Sequence, residues 1–196
     1  MEADYEILIK SFIETNVGIS NHFLDDLLAA HLKKNLVSLY DHNQMLPAGT
    51  GNAGKLTHNT STRSDVIYWL DRNHDNAHEN DFLNLIEDFI RHLNASCYAG
   101  ISGYEFHYSL YETGSFYEKH RDQFHDNPTR KYSMISYLNS DWKKEDGGEL
   151  LIQQGTSSQS ISPMQGKTVF FKSNDLIHEV LPTQQRRMSV TGWLKG

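Results

Sequence analysis

The chain has 196 residues, of which 38% are hydrophobic and 22% are charged, and its formal net charge is −7 at pH 7. This length suits a single domain, 1–196, built around one hydrophobic core. The acidic balance argues against a nucleic-acid partner, and the sequence has neither the ~20 consecutive apolar residues of a membrane span nor the features of a signal peptide.

Two stretches within the first 95 residues have the apolar periodicity of α-helices. In 25–40, a stripe of leucines follows two acidic residues that favour a helix N-terminus. The stripe consists of Leu27, Leu28, Leu32, Leu36 and Leu39. Residues 79–95 repeat the pattern with Phe, Leu and Ile. We expect both stripes to pack on a sheet, so that about 1–95 forms a helical support.

Cys97 is the only cysteine, and it closely follows the second predicted helix. A single cysteine cannot form an intrachain disulfide, which suits a reducing compartment, and we expect a cytoplasmic location. We expect its side chain to be a small buried apolar group rather than a nucleophile.

The connection between the two helices, 41–65, is rich in Gly, Asn, Ser and Thr and has weak apolar periodicity. A connection of this length inside a compact domain is usually functional or mobile. The sequence therefore predicts a flexible loop, which is either a lid over a site or a disordered surface insertion.

From about residue 104 the hydrophobic pattern changes to a period of two, which is typical of strands. Segments rich in β-branched and aromatic residues occur at 103–112, 131–139, 148–154, 167–172 and 186–195. Helices followed by a run of strands predict an α+β fold. This many short antiparallel strands predict a double-stranded β-helix, or jelly roll, with its core at about 100–196 and braced by the N-terminal helices.

A candidate metal site is formed by the triplet His120-Arg121-Asp122 together with His178. Side chains two residues apart on a strand point to the same side, so His120 and Asp122 can reach one ion together. Two imidazoles and one carboxylate can occupy one face of Fe(II) and leave three positions open, as in the non-haem iron oxygenases. Taken alone, a His-x-Asp triplet is more simply explained as surface residues.

Arg187 strengthens the metal interpretation. It shares one face of the last predicted strand with Ser189, Thr191 and Trp193, and both faces carry apolar bulk. An enclosed guanidinium without an anionic partner costs several kcal/mol, and its planar fork suits a carboxylate. A dicarboxylate or keto acid that bridges Arg187 and the metal is one solution. The alternative is an Arg that reaches the rim or pairs with an acidic residue of the chain.

These segments together resemble the Fe(II)- and 2-oxoglutarate-dependent dioxygenases, and specifically the prolyl-hydroxylase branch that includes the hypoxia-factor prolyl hydroxylases and their bacterial relatives. The resemblance spans roughly 63–196 and is strongest from 104 onward. It is carried by RSDVIYWL (63–70), YETGSFYEKHRD (111–122), RKYSMISYLN (130–139) and HEVLPTQQRRMSVTGW (178–193).

The resemblance implies a role for each matching position. His120, Asp122 and His178 correspond to the catalytic iron ligands, and Arg187 corresponds to the residue that binds the distal carboxylate of 2-oxoglutarate. The other implied co-substrate residues are Tyr137, Tyr111, Ile135, Leu150, Val180 and Thr191, for which ordinary core packing is the simpler interpretation without the family. Asp65 and Arg130 correspond to a pair that ties the mobile loop to the core.

The implied reaction hydroxylates a C–H bond, with Fe(II) as cofactor, 2-oxoglutarate and O2 as co-substrates, and ascorbate as a reductant. The implied substrate is a prolyl residue in an exposed loop of a partner protein, and elongation factor Tu is the target suggested by bacterial relatives. One alternative is a free amino acid or other small metabolite, for which a short C-terminus and a closing loop would suffice. Another is a jelly-roll module that binds a metal or ligand without turnover.

Overall fold

The computed structural model describes residues 2–49, 61–122 and 129–196, so the prediction of a lid or disordered insertion falls partly outside the described residues. The helices are α1 (Glu2–Thr15), α2 (Asp26–Asp41) and α3 (Ala77–Cys97). The strands are β1 (Val17–Ser20), β2 (Leu46–Pro47), β3 (Val66–Trp69), β4 (Gly103–Tyr111), β5 (Tyr117–His120), β6 (Arg130–Tyr137), β7 (Leu150–Gln154), β8 (Ser157–Ile161), β9 (Thr168–Lys172), β10 (His178–Val180) and β11 (Arg187–Lys195).

The described strands form two antiparallel sheets. The larger has seven strands in the order β1-β9-β6-β11-β4-β3-β2, and the smaller has four in the order β5-β10-β7-β8. The three helices cover one face of the larger sheet, and the smaller sheet lies against its other face. The predicted α+β fold, a jelly roll braced by N-terminal helices, is confirmed.

Alternate side chains of the central strands β4, β6 and β11 belong to two different hydrophobic clusters, one on each face of the larger sheet. One face packs under the helices, where the buried side chains include Phe106, Tyr108, Met134, Val190 and Leu194. The other face contributes Tyr111, Ile135 and Tyr137 to a second cluster between the two sheets. Because the period of a strand is two, even-numbered residues face the helices and odd-numbered residues face the second sheet.

The two predicted helices begin within two residues of their predicted starts, α2 at Asp26 and α3 at Ala77, whereas the sequence analysis did not single out α1. Two details of the prediction were wrong. Asp25 caps α2 by accepting a hydrogen bond from the backbone N–H of Leu28 at 2.9 Å. Leu27 is 68% exposed, so it does not belong to the buried leucine stripe. Cys97 is exposed rather than buried, because it ends α3 on the solvent side. None of the helices in the described part of the chain is long and apolar enough to span a bilayer.

Leu36→Ala should lower the free energy of unfolding by about 2–5 kcal/mol, because Leu36 is fully buried in α2 and its removal leaves a cavity. Leu27→Ala, in the same helix but exposed, is the matched control and should change it by less than ~0.5 kcal/mol. Urea denaturation followed by circular dichroism measures both. Equal effects of the two substitutions would contradict this packing of α2 on the sheet.

Candidate active site

Three possible metal ligands meet at one edge of the smaller sheet. Strands β5 and β10 pair so that His120 lies directly opposite His178. Nε2 of His120 lies 3.5 Å from Oδ1 of Asp122, and Nε2 of His178 lies 3.5 Å from Oδ2 of the same carboxylate. One ligand atom of each residue lies within 4.8 Å of the other two. The three side chains can therefore hold one metal ion.

Asp122 reaches this position by a different route from the one the sequence predicts. β5 ends at His120, so Asp122 lies beyond the strand, where the alternation of strand side chains does not apply. A hydrogen bond holds it instead, because the Ser133 hydroxyl on β6 donates to Oδ2 at 2.6 Å. The carboxylate is thus fixed from the opposite sheet.

Backbone carbonyls set the tautomers of both imidazoles. Nδ1 of His120 lies 2.7 Å from the carbonyl oxygen of Glu118, and Nδ1 of His178 lies 3.3 Å from that of Leu176. Since a carbonyl can only accept, each Nδ1 carries the hydrogen and donates it. The lone pair of each Nε2 is then left to face the carboxylate and any bound ion.

Burial and charge keep Asp122 and His178 in the protonation states that bind metals. Burial alone would raise the pKa of the Asp122 carboxyl, but His178, His120 and the Ser133 hydroxyl together hold it well below its usual range. Burial lowers the pKa of His178 to about 4, although Asp122 opposes this shift. At neutral pH the site therefore offers an ionised carboxylate and a neutral imidazole from His178.

A series of contacts also holds His120: Arg63, in the segment before β3, contacts the Tyr117 ring, and this ring stacks on His120. The Tyr117 ring stacks on the His120 ring, with centroids 3.5 Å apart and planes 15° apart. The guanidinium carbon of Arg63 lies 4.2 Å from the centroid of the Tyr117 ring. Arg63 in turn binds buried Asp65 through two hydrogen bonds of 2.7 and 2.6 Å, and the Ser109 hydroxyl donates to the same carboxylate at 2.7 Å.

The predicted pair of Asp65 with Arg130 was wrong. Asp65 pairs with Arg63, two residues before it in the chain. Arg130 lies across the Trp193 ring, 3.5 Å from the centroid, and pairs with Glu105 at 2.7 Å. Its guanidinium therefore contacts Trp193 on β11 and Glu105 on β4.

Arg187 is 2% exposed, yet no carboxylate pairs with it in the described part of the chain. Its Nε donates to the carbonyl oxygen of Gly148 at 2.7 Å, and its guanidinium carbon lies 5.0 Å and 5.1 Å from the ring centroids of Tyr111 and Tyr137. Nη2 of Arg187 and the Tyr137 hydroxyl are buried without a hydrogen-bond partner among the described residues. Because such groups are costly to leave unpaired, this corner suits an anionic ligand.

One cavity of about 940 Å³ joins Arg187 to the three metal-ligand candidates. The predicted residues that line it are His120, Asp122, His178, Arg187, Tyr111, Ile135, Leu150, Val180 and Thr191. Tyr137 is not part of this lining and lies against the Arg187 guanidinium. Burial raises the pKa of the Tyr137 hydroxyl, while Arg187 opposes the shift, so the hydroxyl keeps its hydrogen at neutral pH.

Sequence reasoning missed three residues that support the site: Ser133, Tyr117 and Gly148. A serine on the inward face of an apolar strand was an available signal for Ser133, whereas nothing in the local pattern marks Tyr117. Gly148 has a φ of +66°, and a Cβ there would lie 3.1 Å from Cδ of Arg187. Glycine is thus required where the chain passes Arg187.

The comparisons with known proteins agree with this geometry. A family model described as the 2OG-Fe(II) oxygenase superfamily matches residues 106–195. The crystal structure of a Pseudomonas putida prolyl-4-hydroxylase is 27% identical, with a TM-score of 0.87 over 97% of this chain and 98% of that one. A prolyl hydroxylase from Trichoplax adhaerens, in complex with a hypoxia inducible factor peptide fragment, has the same TM-score over 99% of this chain and 90% of that one. The two sequences are 21% identical, so this likeness supports a shared fold and nothing further.

A curated sequence relative is the prolyl 3-hydroxylase OGFOD1 of Xenopus laevis. It is 33% identical over 78 residues, which cover 34% of this chain and 15% of that protein. The match to this curated relative is thus confined to a small part of its length.

Ser133→Ala should weaken metal binding by about ten-fold, because Asp122 loses the donor that orients it. Ser136→Ala is the matched control, since Ser136 is also buried in β6 but its hydroxyl bonds to Thr168 on the opposite face of the sheet. Titration of the purified protein with Mn(II) or Co(II), followed by calorimetry, measures both affinities. An affinity that falls equally in the two variants would point to general loosening of β6.

Proposed function

We propose that the chain is a dioxygenase of the 2OG-Fe(II) oxygenase superfamily, whose family model matches residues 106–195, and that it hydroxylates a C–H bond and converts 2-oxoglutarate to succinate and CO2. One observation carries this proposal. A cluster of two histidines and one aspartate shares a cavity with a buried arginine that has no anionic partner among the described residues. We treat 1–196 as one catalytic domain.

The residues of the cavity fit both groups that this family uses. Two imidazoles and a carboxylate suit Fe(II) and leave room for further ligands. Nη2 of Arg187 and the Tyr137 hydroxyl, which have no hydrogen-bond partner among the described residues, suit a carboxylate group of the co-substrate. When bound, Fe(II) and 2-oxoglutarate supply the oxidising power for C–H hydroxylation by O2.

The protein contributes binding, orientation and exclusion of water. Nε2 of His120, Nε2 of His178 and the Asp122 carboxylate would hold the metal, with Ser133 and Tyr117 fixing two of these ligands. Arg187 would bind the distal carboxylate of 2-oxoglutarate. The hydrogen bond from its Nε to the Gly148 carbonyl oxygen fixes the orientation of the guanidinium. The remaining pocket walls are Tyr111, Ile135, Leu150, Val180 and Thr191. Their largely apolar surface strengthens the charge interactions inside.

For the substrate, we propose a prolyl residue of a partner protein. The likeness to the P. putida prolyl-4-hydroxylase supports it, since that structure covers nearly the whole chain at 27% identity. Elongation factor Tu, which the sequence resemblance suggests, is the first candidate partner. Ascorbate as reductant and a cytoplasmic location remain predictions.

Anaerobic addition of Fe(II) and then 2-oxoglutarate to the purified protein should produce a metal-to-ligand charge-transfer band. Arg187→Ala should raise the 2-oxoglutarate concentration that gives half of the maximal band intensity by at least about 100-fold. The reason is that the substitution removes a buried, charged guanidinium that donates hydrogen bonds to the co-substrate carboxylate. Arg186→Ala, which removes the neighbouring exposed arginine paired with Glu112, should stay within about two-fold.

Asp122→Ala and His178→Ala should abolish the band in protein that remains folded by circular dichroism. A wild-type protein that binds Fe(II) and 2-oxoglutarate but never forms the band would overturn the proposed chelated site. If the band forms but no succinate is released in the presence of O2, the protein binds its ligands without turnover. That outcome would support the alternative of a non-catalytic binding module.

The substrate proposal is tested with purified elongation factor Tu and with free L-proline, each incubated with the protein, Fe(II), 2-oxoglutarate and ascorbate. We expect a mass increase of one oxygen atom on a prolyl residue of the protein substrate, detected by peptide mass spectrometry, and succinate release that depends on it. Oxygen addition to free proline alone would favour the small-metabolite alternative.

A further inference from the structure

Behind the metal-ligand candidate Asp122 lies a second buried hydroxyl that the proposed function does not use. Oγ of Ser173 lies 2.9 Å from Oγ of Ser133, and Ser133 in turn donates to Oδ2 of Asp122 at 2.6 Å. Ser173 is fully buried and Ser133 is 1% exposed. Ser173 and Ser133, which we call the serine pair, thus form one hydrogen-bonded series that ends on the carboxylate.

Strand pairing places Ser173 at this point. Ser173 directly follows β9, and its N–H continues the pairing of β9 with β6 by donating to the carbonyl oxygen of Lys131 at 3.1 Å. It also continues the alternation of β9, in which Val169 and Phe171 belong to the cluster between the two sheets. The Ser173 side chain therefore lies on the face of the larger sheet that carries the metal site.

The chemistry of the three groups fixes the direction of both hydrogen bonds. A carboxylate that binds a metal carries no hydrogen and can only accept, so Ser133 uses its single hydroxyl hydrogen on Asp122. Ser133 can then only accept from Ser173, which is the donor in the 2.9 Å contact. A hydroxyl that accepts a hydrogen bond is a stronger donor, because the two bonds polarise one another. Ser173 therefore strengthens the bond that orients the carboxylate.

A second pair of buried hydroxyls joins the same two strands without any link to the metal site. Ser136 on β6 and Thr168 on β9 lie 2.8 Å apart, are fully buried and face the helices. Together with the backbone ladder, they already connect β6 to β9. The serine pair shares its face with apolar Ile135 and Phe171, where burying a hydroxyl is unfavourable unless it is paired. Its connection to the Asp122 carboxylate is what distinguishes it.

The segment that begins with Ser173 also orients a second ligand candidate. It connects β9 to β10, and the carbonyl oxygen of Leu176 within it accepts the hydrogen bond from Nδ1 of His178 at 3.3 Å. The ring of Phe171, two residues before Ser173, packs against the His178 ring with centroids 4.9 Å apart. One short stretch, 171–178, therefore supports His178 directly and contacts Asp122 through Ser133.

We propose that Ser173 is a positioning residue for the metal centre, and that it acts on Asp122 only through the hydroxyl of Ser133. Without the Ser173 donor, the Ser133 hydroxyl loses the contact that fixes its rotation, and its hydrogen is held less firmly on the carboxylate. Metal affinity then falls, although Ser173 is not itself a ligand. This inference rests on the metal site of the proposed function and adds one residue to its support.

A double-mutant cycle tests this dependence, with the Co(II) affinity of the purified, metal-free protein as the readout. We expect Ser173→Ala to weaken Co(II) binding by about three-fold, which is less than the effect of Ser133→Ala because the direct donor to Asp122 remains. In protein that already carries Ser133→Ala, Ser173→Ala should change the affinity by less than ~1.5-fold, because the hydroxyl through which it acts is gone.

Thr168→Val is the matched control, since it removes a hydroxyl from the other buried pair between β6 and β9. Its Co(II) affinity should stay within about two-fold of the wild type, because that pair does not contact a ligand candidate. The visible absorption bands of bound Co(II) give a second readout. They should shift in Ser173→Ala in the same direction as in Ser133→Ala but by less, and should not shift in Thr168→Val.

Equal losses of affinity from Ser173→Ala with and without the Ser133 hydroxyl would overturn the proposal, because an effect that survives the loss of Ser133 is one of packing. Unchanged affinity and unchanged Co(II) bands in Ser173→Ala would overturn it as well. A wild-type protein that binds no Co(II), or that binds it equally well after Asp122→Ala, would instead overturn the metal site of the proposed function.

Discussion

The alternation of side chains along β4, β6 and β11 is the constraint on which the site depends. Apolar even-numbered residues such as Phe106 and Val190 are buried under the helices, and this burial fixes the register of each strand. A slip of one residue would place Val190 in the cavity and the Arg187 charge under α2 and α3. The helices therefore take no direct part in the site, yet their packing decides which side chains face it.

The metal-ligand candidates also depend on contact between the two sheets. His120 and His178 come from paired strands of the smaller sheet, whereas the hydroxyl that orients Asp122 comes from β6 in the larger one. The cluster thus lies at the point where the sheets meet, and its geometry requires that both sheets be formed and docked. The site therefore requires the packed tertiary structure and is not a property of the segment 120–122 alone.

The sequence predicted the fold class and the long strands well, because β4, β6, β9 and β11 combine alternation with β-branched and aromatic residues. It missed β8 and β1, which are short edge strands of polar or mixed composition stabilised by pairing with a neighbour. It also assigned Asp65 to the wrong arginine, since ion-pair partners depend on three-dimensional proximity. Ser173 looked like an ordinary turn residue, because a hydrogen bond between two buried hydroxyls becomes visible only when every surrounding group is in place.

Arg187 is buried and has no carboxylate partner among the described residues, so an anionic ligand that bound it would link its own concentration to the stability of the whole chain. A ligand that binds the folded protein and not the unfolded one adds RT ln(1 + [L]/Kd), which reaches about 2.7 kcal/mol at a hundred times Kd. Such an anion would supply part of the stability of the fold from the solution. The lifetime of such a protein in a cell would follow the local supply of that anion as well as the sequence itself.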